Sequence, residues 1–460
     1  MPIRESSYGY WSSHATFLAV AGGAAIGIGN IARLPWLAGE YGGGLFLAVY
    51  FAALALMSWP LLAAEWVLGR WTRQDLVSGL LQLTEAAHVG RPWVAIGALS
   101  LASAVLVLSY YSVIAGWSLA YVFRSAAGVL QGLSDAGTHR VFLGVARDPE
   151  RSLAWHTLFM VTACIIVAHG VRDGIERAAR YLAPAALLLV VALAVYAYRA
   201  GDGAAALRHM LLPDTSHFGW HSVMEAIHQA FFTMALGVGA MYAYGGYLPA
   251  QAPLLRLAAA VIAIDTLFSL VAGFALYALV LGAHLDPAPG ITLLFQVFPL
   301  ALPDDGSGVV AATGLYLVLV MITLLAACAL MEPIVRSIAE RLRLTRVFAA
   351  TACAMLVWFL GLGTLLSFNV FQQASVLGTT FFDWVQWLTG KLLMPLTGLL
   401  LTILVSRVLP AAMQAELWGE GPRRARDAWI WLLRFPARVA MLLLLLYCVG
   451  LIDFLVELWS

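Results

Sequence analysis

The chain has 460 residues, 62% hydrophobic and 11% charged, where an ordinary soluble domain carries about 25% charged residues. With a mean hydropathy of +0.87, residues 1–460 read as a single all-α polytopic membrane domain. A net charge of +1 argues against nucleic acid as a partner, and the four cysteines (Cys164, Cys328, Cys353, Cys448) lack metal-type spacing and read as free core residues.

About 20 apolar residues cross a bilayer. Eleven segments qualify: 13–37, 44–69, 93–123, 153–170, 181–199, 222–247, 254–282, 309–339, 346–363, 378–407 and 428–457. Met1–Tyr10 is short and polar, unlike a signal peptide. Arginines crowd loops 70–92, 171–180, 336–346 and 408–427, whereas 283–308 carries acids and no basic residue. The positive-inside rule then places the N-terminus inside and the C-terminus outside. Within 283–308, Ile291–Leu300 is too short to span and reads as a helix folded over the outer face.

The first segment contains Gly22-Gly23-Ala24-Ala25-Ile26-Gly27-Ile28-Gly29-Asn30, followed by Arg33 and Pro35. Glycine weakens a helix, and an unpaired backbone group in hydrocarbon costs several kcal/mol. A break here is tolerable only where the freed groups meet protein, water, an ion or a ligand. The competing reading is close helix packing through small residues. Broken, the segment would offer amide donors to an anion and carbonyls to a cation. The sixth segment repeats the feature in Phe231-Phe232-Thr233-Met234-Ala235-Leu236-Gly237-Val238-Gly239-Ala240. Paired interruptions at corresponding places in two halves point to the midplane site of a secondary transporter. The expected architecture is a 5+5 inverted repeat (about 11–200 and 220–408) with broken helices 1 and 6 and an extra helix at about 428–457.

Ionisable and amide groups inside spans are functional candidates because they are costly there. Asn30, Glu65, Gln229, Asp265 and Glu332 qualify, and Thr233 adjoins the second break. Asp265 and Ser269 share a helix face. Asn30, Thr233 and Asp265 with carbonyls from the breaks would form an all-oxygen cage for a hard cation. Asp265 is alternatively one half of an ion pair with an arginine. Tyr111 presents a hydroxyl to a carboxylate or simply packs. His169, His221 and His228 are packing residues or part of a proton path. No convergent nucleophile, base and acid points to an enzyme.

These residues resemble the neurotransmitter:sodium symporter family, its bacterial amino-acid transporters in particular. The likeness runs from Trp11 to about Leu400. It rests on Gly27-Ile28-Gly29-Asn30-Ile31-Ala32-Arg33-Leu34-Pro35, Glu40-Tyr41-Gly42-Gly43-Gly44, Glu65-Trp66 with Gly69-Arg70, Tyr110-Tyr111, Gly174-Ile175-Glu176-Arg177 and Phe231-Phe232-Thr233. Transporters of this family carry their substrate site at such paired helix breaks. The resemblance implies sodium-coupled amino-acid uptake by alternating access, in a bacterial cytoplasmic membrane, by a monomer or homodimer in membrane lipid. It implies that the amides of Ile28 and Gly29 and the Tyr111 hydroxyl hold the substrate carboxylate, and the carbonyls of Ala25 and Phe232 its amine. Gly27 stands where monoamine carriers place an aspartate, which favours a substrate with its own carboxylate. Val107, Phe232, Ala235, Val238, Ala326 and Leu330 would form an apolar side-chain pocket, with Thr233 beside it, suited to a bulky hydrophobic or aromatic amino acid.

By the same resemblance, sodium site one would use Ala25, Asn30, Thr233 and Asp265; many members have asparagine at the last position, and other bacterial members an acid. Tyr50, Gln229 and Ser269 match the chloride site of animal carriers, and Asp265 is able to supply that negative charge itself, so the need for chloride stays open. Arg33 and Phe232 imply an outer gate, with Gln386 in the place of its acid and Asp383 as an alternative partner for Arg33. Trp11, Tyr247 and Glu340 imply an inner gate, with Tyr8 where the family has arginine and Arg4 displaced. Sodium site two would use Gly23, Ile26, Ile322, Leu325 and Ala326, but the two hydroxyl ligands are lost at Leu325 and Ala326. Aliphatic carbon does not coordinate sodium. The expectation is a degraded second site and one sodium ion per cycle. Rival readings are a proton-coupled or sodium-independent transporter of the same fold, and a non-transporting sensor.

Overall fold

The computed structural model describes residues 8–371, 378–419, 421–452 and 454. Among these, nine helices are long and apolar enough to cross a membrane: Gly44–Thr72, Arg91–Ala126, Pro149–Ala168, Val171–Ala200, Leu254–Gly282, Gly306–Leu342, Arg346–Ser367, Phe381–Val408 and Arg423–Cys448. His14–Ala25 and Ile28–Glu40 form a further pair bent by 67° at the expected first break. This makes nine, or ten with the bent pair, against the eleven spans expected. The sixth segment does not count as a helix because it divides into Trp220–Thr233 and Ala240–Gly245, pieces of 14 and 6 residues.

Each break has a local cause. The first half-helix is capped by Ser13 and ends where Ile26 and Gly27 turn extended; Asn30 Oδ1 then accepts the Gly27 amide at 2.8 Å and starts the second half. In the sixth segment Ala235, Gly237 and Gly239 take positive φ (49°, 79°, 76°), which stops helix propagation. Ala235 has a Cβ and adopts this conformation at a cost of about 1 kcal/mol. Glu65, on Gly44–Thr72, offsets the break by accepting the Gly237 and Tyr242 amides at 2.8 and 3.3 Å. The two elements approach so closely that a Cβ on Gly245 would lie 2.6 Å from Trp66 Cα.

The 37-residue helix Gly306–Leu342 is the scaffold: 78% of its most apolar stretch is buried, against 22% for Val171–Ala200. It packs along Arg91–Ala126 and against both broken segments. The expected short apolar helix is present at Gly290–Leu300. Tyr121 and Tyr316 hydroxyls hold it through the carbonyls of Phe295 and Leu294.

Candidate functional site

The two breaks face one another across a cavity of about 900 Å³. All the residues expected to bind substrate line it: Ala25, Ile28, Gly29, Val107, Tyr111, Phe232, Thr233, Ala235, Val238, Ala326 and Leu330. From the breaks it extends past Arg33 to Gly290, Asp383 and Lys391. The Tyr111 hydroxyl is buried beside the Ile28 amide, without a hydrogen bond of ordinary geometry, and stands 3.3 Å from where a Cβ on Gly27 would lie. A buried hydroxyl next to helix-terminal amides is suited to a ligand carboxylate.

Behind this wall lies a polar cluster that joins three segments. Asn30 Nδ2 contacts Asp265 Oδ1 at 2.6 Å, Ser269 Oγ at 2.7 Å and Thr233 Oγ1 at 3.0 Å. Thr233 Oγ1 donates to the Asp265 carboxylate at 3.1 Å. Asp265 is fully buried, and among the described residues no arginine or lysine pairs with it, which removes the ion-pair alternative. A buried carboxylate beside hydroxyl, amide and carbonyl oxygens fits a small hard cation. Of the possible chloride ligands, Ser269 belongs to this cluster, Tyr50 Oη is buried beside the Thr233 and Thr266 hydroxyls, and Gln229 Oε1 is buried without a partner. At the second sodium position a Cβ on Gly23 would meet Leu325 Cδ1 at 2.7 Å, so the leucine side chain packs against the opposite wall; Ile26, Ile322 and Ala326 are buried around it.

The outer cluster corrects the expected pairing. Arg33 Nη2 lies 2.9 Å from Glu225 Oε2 and 2.9 Å from His228 Nδ1, and Tyr447 donates to Glu225 Oε1 at 2.9 Å. Gln386 and Asp383 line the cavity, but the Asp383 carboxylate caps its own helix at Thr380. A carboxylate at a helix N-terminus already has local donors, whereas Glu225 is presented to Arg33 from the half-helix across the cleft. Glu225, an acid within the sixth segment, carries the same sequence signal as Asp265, a costly charge inside a span. Of the other histidines, His169 bonds its own helix at Ile165 and His221 packs at a tilt against Trp220.

The opposite end is closed by packing. Trp11 donates through its backbone to the Tyr247 carbonyl and through Nε1 to that of Tyr244, both at 3.1 Å. Tyr247 donates to Glu332, which also takes a two-pronged bond from Arg346 at 3.0 and 2.5 Å. Glu340 forms no hydrogen bond with Trp11 or Tyr247. It holds Arg336 at 2.7 Å and the Asp75 amide at 2.5 Å. Arg336 spreads its guanidinium over the rings of Tyr247 and Tyr8, at 5.3 and 5.6 Å. The cation at this end therefore comes from the long central helix, with Tyr8 as its aromatic partner. Arg4 lies outside the described residues.

A profile described as the sodium:neurotransmitter symporter family matches residues 8–133 and 148–409. The chain is 30% identical over 447 residues to the uncharacterized sodium-dependent transporter YhdH of Bacillus subtilis, covering 96% of this chain and 98% of that one. It is 28% identical over 272 residues to the human sodium-dependent neutral amino acid transporter SLC6A17, covering 52% of this chain and 36% of that one. The crystal structure of MhsT in complex with L-phenylalanine superposes with a TM-score of 0.86 at 32% identity, over 96% of this chain and 99% of that one.

Proposed function

The chain belongs to the sodium:neurotransmitter symporter family, and from that premise we propose a symporter that takes up a neutral, bulky hydrophobic or aromatic amino acid with one sodium ion. The observation that carries this reading is a buried Tyr111 hydroxyl beside the Ile28 amide in the cavity and, behind the Asn30 and Thr233 wall, an Asp265 carboxylate that no arginine or lysine among the described residues answers. The amides of Ile28 and Gly29 and the Tyr111 hydroxyl bind the substrate carboxylate; the carbonyls of Ala25 and Phe232 bind its amine. Val107, Phe232, Ala235, Val238, Ala326 and Leu330 receive the side chain, and with no charge among them they disfavour a polar one. Sodium binds to Ala25, Asn30, Thr233 and Asp265 next to the substrate carboxylate, so each stabilises the other. Asp265 supplies the negative charge, and chloride at Tyr50, Gln229 and Ser269 is dispensable. L-phenylalanine, the ligand named for MhsT, is a substrate of the proposed class.

The cavity reaches the Gly290 and Lys391 side while aromatic packing closes the Trp11 side, as an outward-facing step of alternating access requires. Arg33, Phe232 and Glu225 form the outer gate, and Trp11, Tyr8, Tyr247 and Arg336 the inner one. The two broken halves are inverted repeats, residing in a bacterial inner membrane with the N-terminus inside and the C-terminus outside. Purified chain in proteoliposomes tests the coupling: inward sodium gradients should drive phenylalanine accumulation. Accumulation driven equally by a pH gradient without sodium would shift coupling to protonation, and binding without accumulation would indicate a sensor.

The packing of Leu325 on Gly23 supports a lost second sodium site. Leu325→Thr combined with Ala326→Ser should raise the Hill coefficient for sodium in substrate binding from about one toward two by restoring two hydroxyl ligands. A wild-type value near two would reject the single-ion assignment.

A further inference from the structure

Arginines inside spans face the bundle interior or pair with acids because a lone charge there is costly. Arg33, Arg336 and Arg346 obey this rule, on Glu225, Glu340 and Glu332. Arg407, Arg434 and Arg438 do not: among the described residues none forms an ion pair. Arg434, on Arg423–Cys448, crosses to the neighbouring Phe381–Val408 helix and places Nε and Nη2 on the Ser406 carbonyl at 3.0 and 2.5 Å. That contact sets its charge beside Arg407, the next residue. Arg438 lies one helical turn further, on the same face as Arg434. Among the described residues, the charges beside Arg438 are those of Arg407 and Arg434.

Three like charges thus meet between the last two described spans. Leu433–Ala437 packs against Leu54–Ser58, in the middle of the Gly44–Thr72 helix, so the cluster lies at the depth of the spans and not in a loop. Snorkelling accounts for Arg407 at the end of its helix. Trp431 and Phe435 beside them are exposed, at 55% and 45%. The cluster belongs to the Trp11 end of the molecule: Arg70 ties the 411–418 helix to the end of Gly44–Thr72 through the Leu417 and Trp418 carbonyls, and Arg73 lies over Tyr10.

We propose that Arg407, Arg434 and Arg438 bind the phosphate of an anionic phospholipid in the leaflet at the Trp11 face. Guanidinium forks match the oxygens of a phosphodiester in pairs. Acyl chains extending along Trp431 and Phe435 select a lipid over a free anion, and the bound charge cancels the mutual repulsion of the three arginines.

Native mass spectrometry of the full chain, released from nanodiscs of phosphatidylcholine mixed with phosphatidylglycerol, tests this. Phosphatidylglycerol should be retained in preference to phosphatidylcholine, and inorganic phosphate should not displace it. Arg407→Gln with Arg438→Gln should cut the preference by more than tenfold, at about fivefold for each arginine, without lowering the unfolding midpoint in pure phosphatidylcholine. Equal retention of both lipids by the unmodified chain overturns the proposal whether or not the variant folds. Displacement by inorganic phosphate overturns the lipid assignment in favour of a free anion, and an undiminished preference in the variant overturns the residue assignment.

Discussion

Asp265→Ala should abolish sodium-dependent substrate binding. The carboxylate is fully buried and engages Asn30 and Thr233, one from each broken segment, at 2.6 and 3.1 Å. In the proposed site it is the only full negative charge offered to the ion. Charge-assisted hydrogen bonds are worth about 1.5–3 kcal/mol each, and two of them correspond to a loss of about 10²–10⁴ in affinity. The loss should appear only in sodium: residual binding in choline should match that of the unmodified chain. Equilibrium binding of radiolabelled phenylalanine in sodium and in choline measures both. Unchanged sodium-dependent affinity would take Asp265 out of the ion site. Asp265→Asn separates charge from coordination. It keeps an oxygen ligand but loses the negative charge, so uptake should become dependent on chloride through Tyr50, Gln229 and Ser269. Chloride-independent uptake by Asp265→Asn would show that no anion is needed.

Gly27→Asp should convert the site from rejecting to preferring an amine without a carboxylate. Gly27 has φ −138° and ψ −171°, an extended conformation open to any residue, so the substitution brings no backbone strain. A Cβ there lies 3.3 Å from the Tyr111 hydroxyl, which requires a small adjustment of that side chain. The new carboxylate enters the space where the Ile28 and Gly29 amides and Tyr111 are proposed to hold the substrate carboxylate. Two like charges about 4 Å apart repel by about 4 kcal/mol at an effective dielectric of 20, close to a thousandfold in affinity. Phenylalanine binding should fall by that order, while phenethylamine, which lacks the carboxylate, should bind better than to the unmodified chain. Equal losses for both ligands would mean that the variant is simply obstructed. Gly27→Ala, with a methyl and no charge, should cost far less.

Much of the site was legible along the chain because its logic is local. Gly27 and Gly29, and later Gly237 and Gly239, interrupt apolar segments where backbone groups must find partners, and the structure breaks the chain at both places. The residues adjoining those breaks therefore had to be near whatever fills the gap, and they line one cavity. The side-chain pairings were less legible. Asp383 was a reasonable partner for Arg33 by counting, but its carboxylate is taken by the start of its own helix, and Glu225 is opposite Arg33 in space. The loss of hydroxyls at Leu325 and Ala326 was readable from residue type, yet that Leu325 packs on Gly23 depends on how two helices cross. Arg336 over Tyr8 and Tyr247 has no signature in the spacing, since its partners come from two distant segments.

By itself, then, the sequence determined that the chain lives in a membrane, where its helices break, and that the broken backbone with Asn30, Thr233 and Asp265 forms the polar centre. These follow from short-range rules: hydrocarbon tolerates no unpaired amide, and glycine releases a helix wherever it stands. Only the tertiary structure decided which charge answers which: Arg33 with Glu225, Arg336 with Glu340 and two tyrosine rings, Glu65 with the Gly237 amide, and Arg434 with the Ser406 carbonyl and no acid among the described residues. Coulomb and hydrogen-bond energies are set by distances of a few ångströms between groups far apart in the chain, and those distances exist only once the helices have packed.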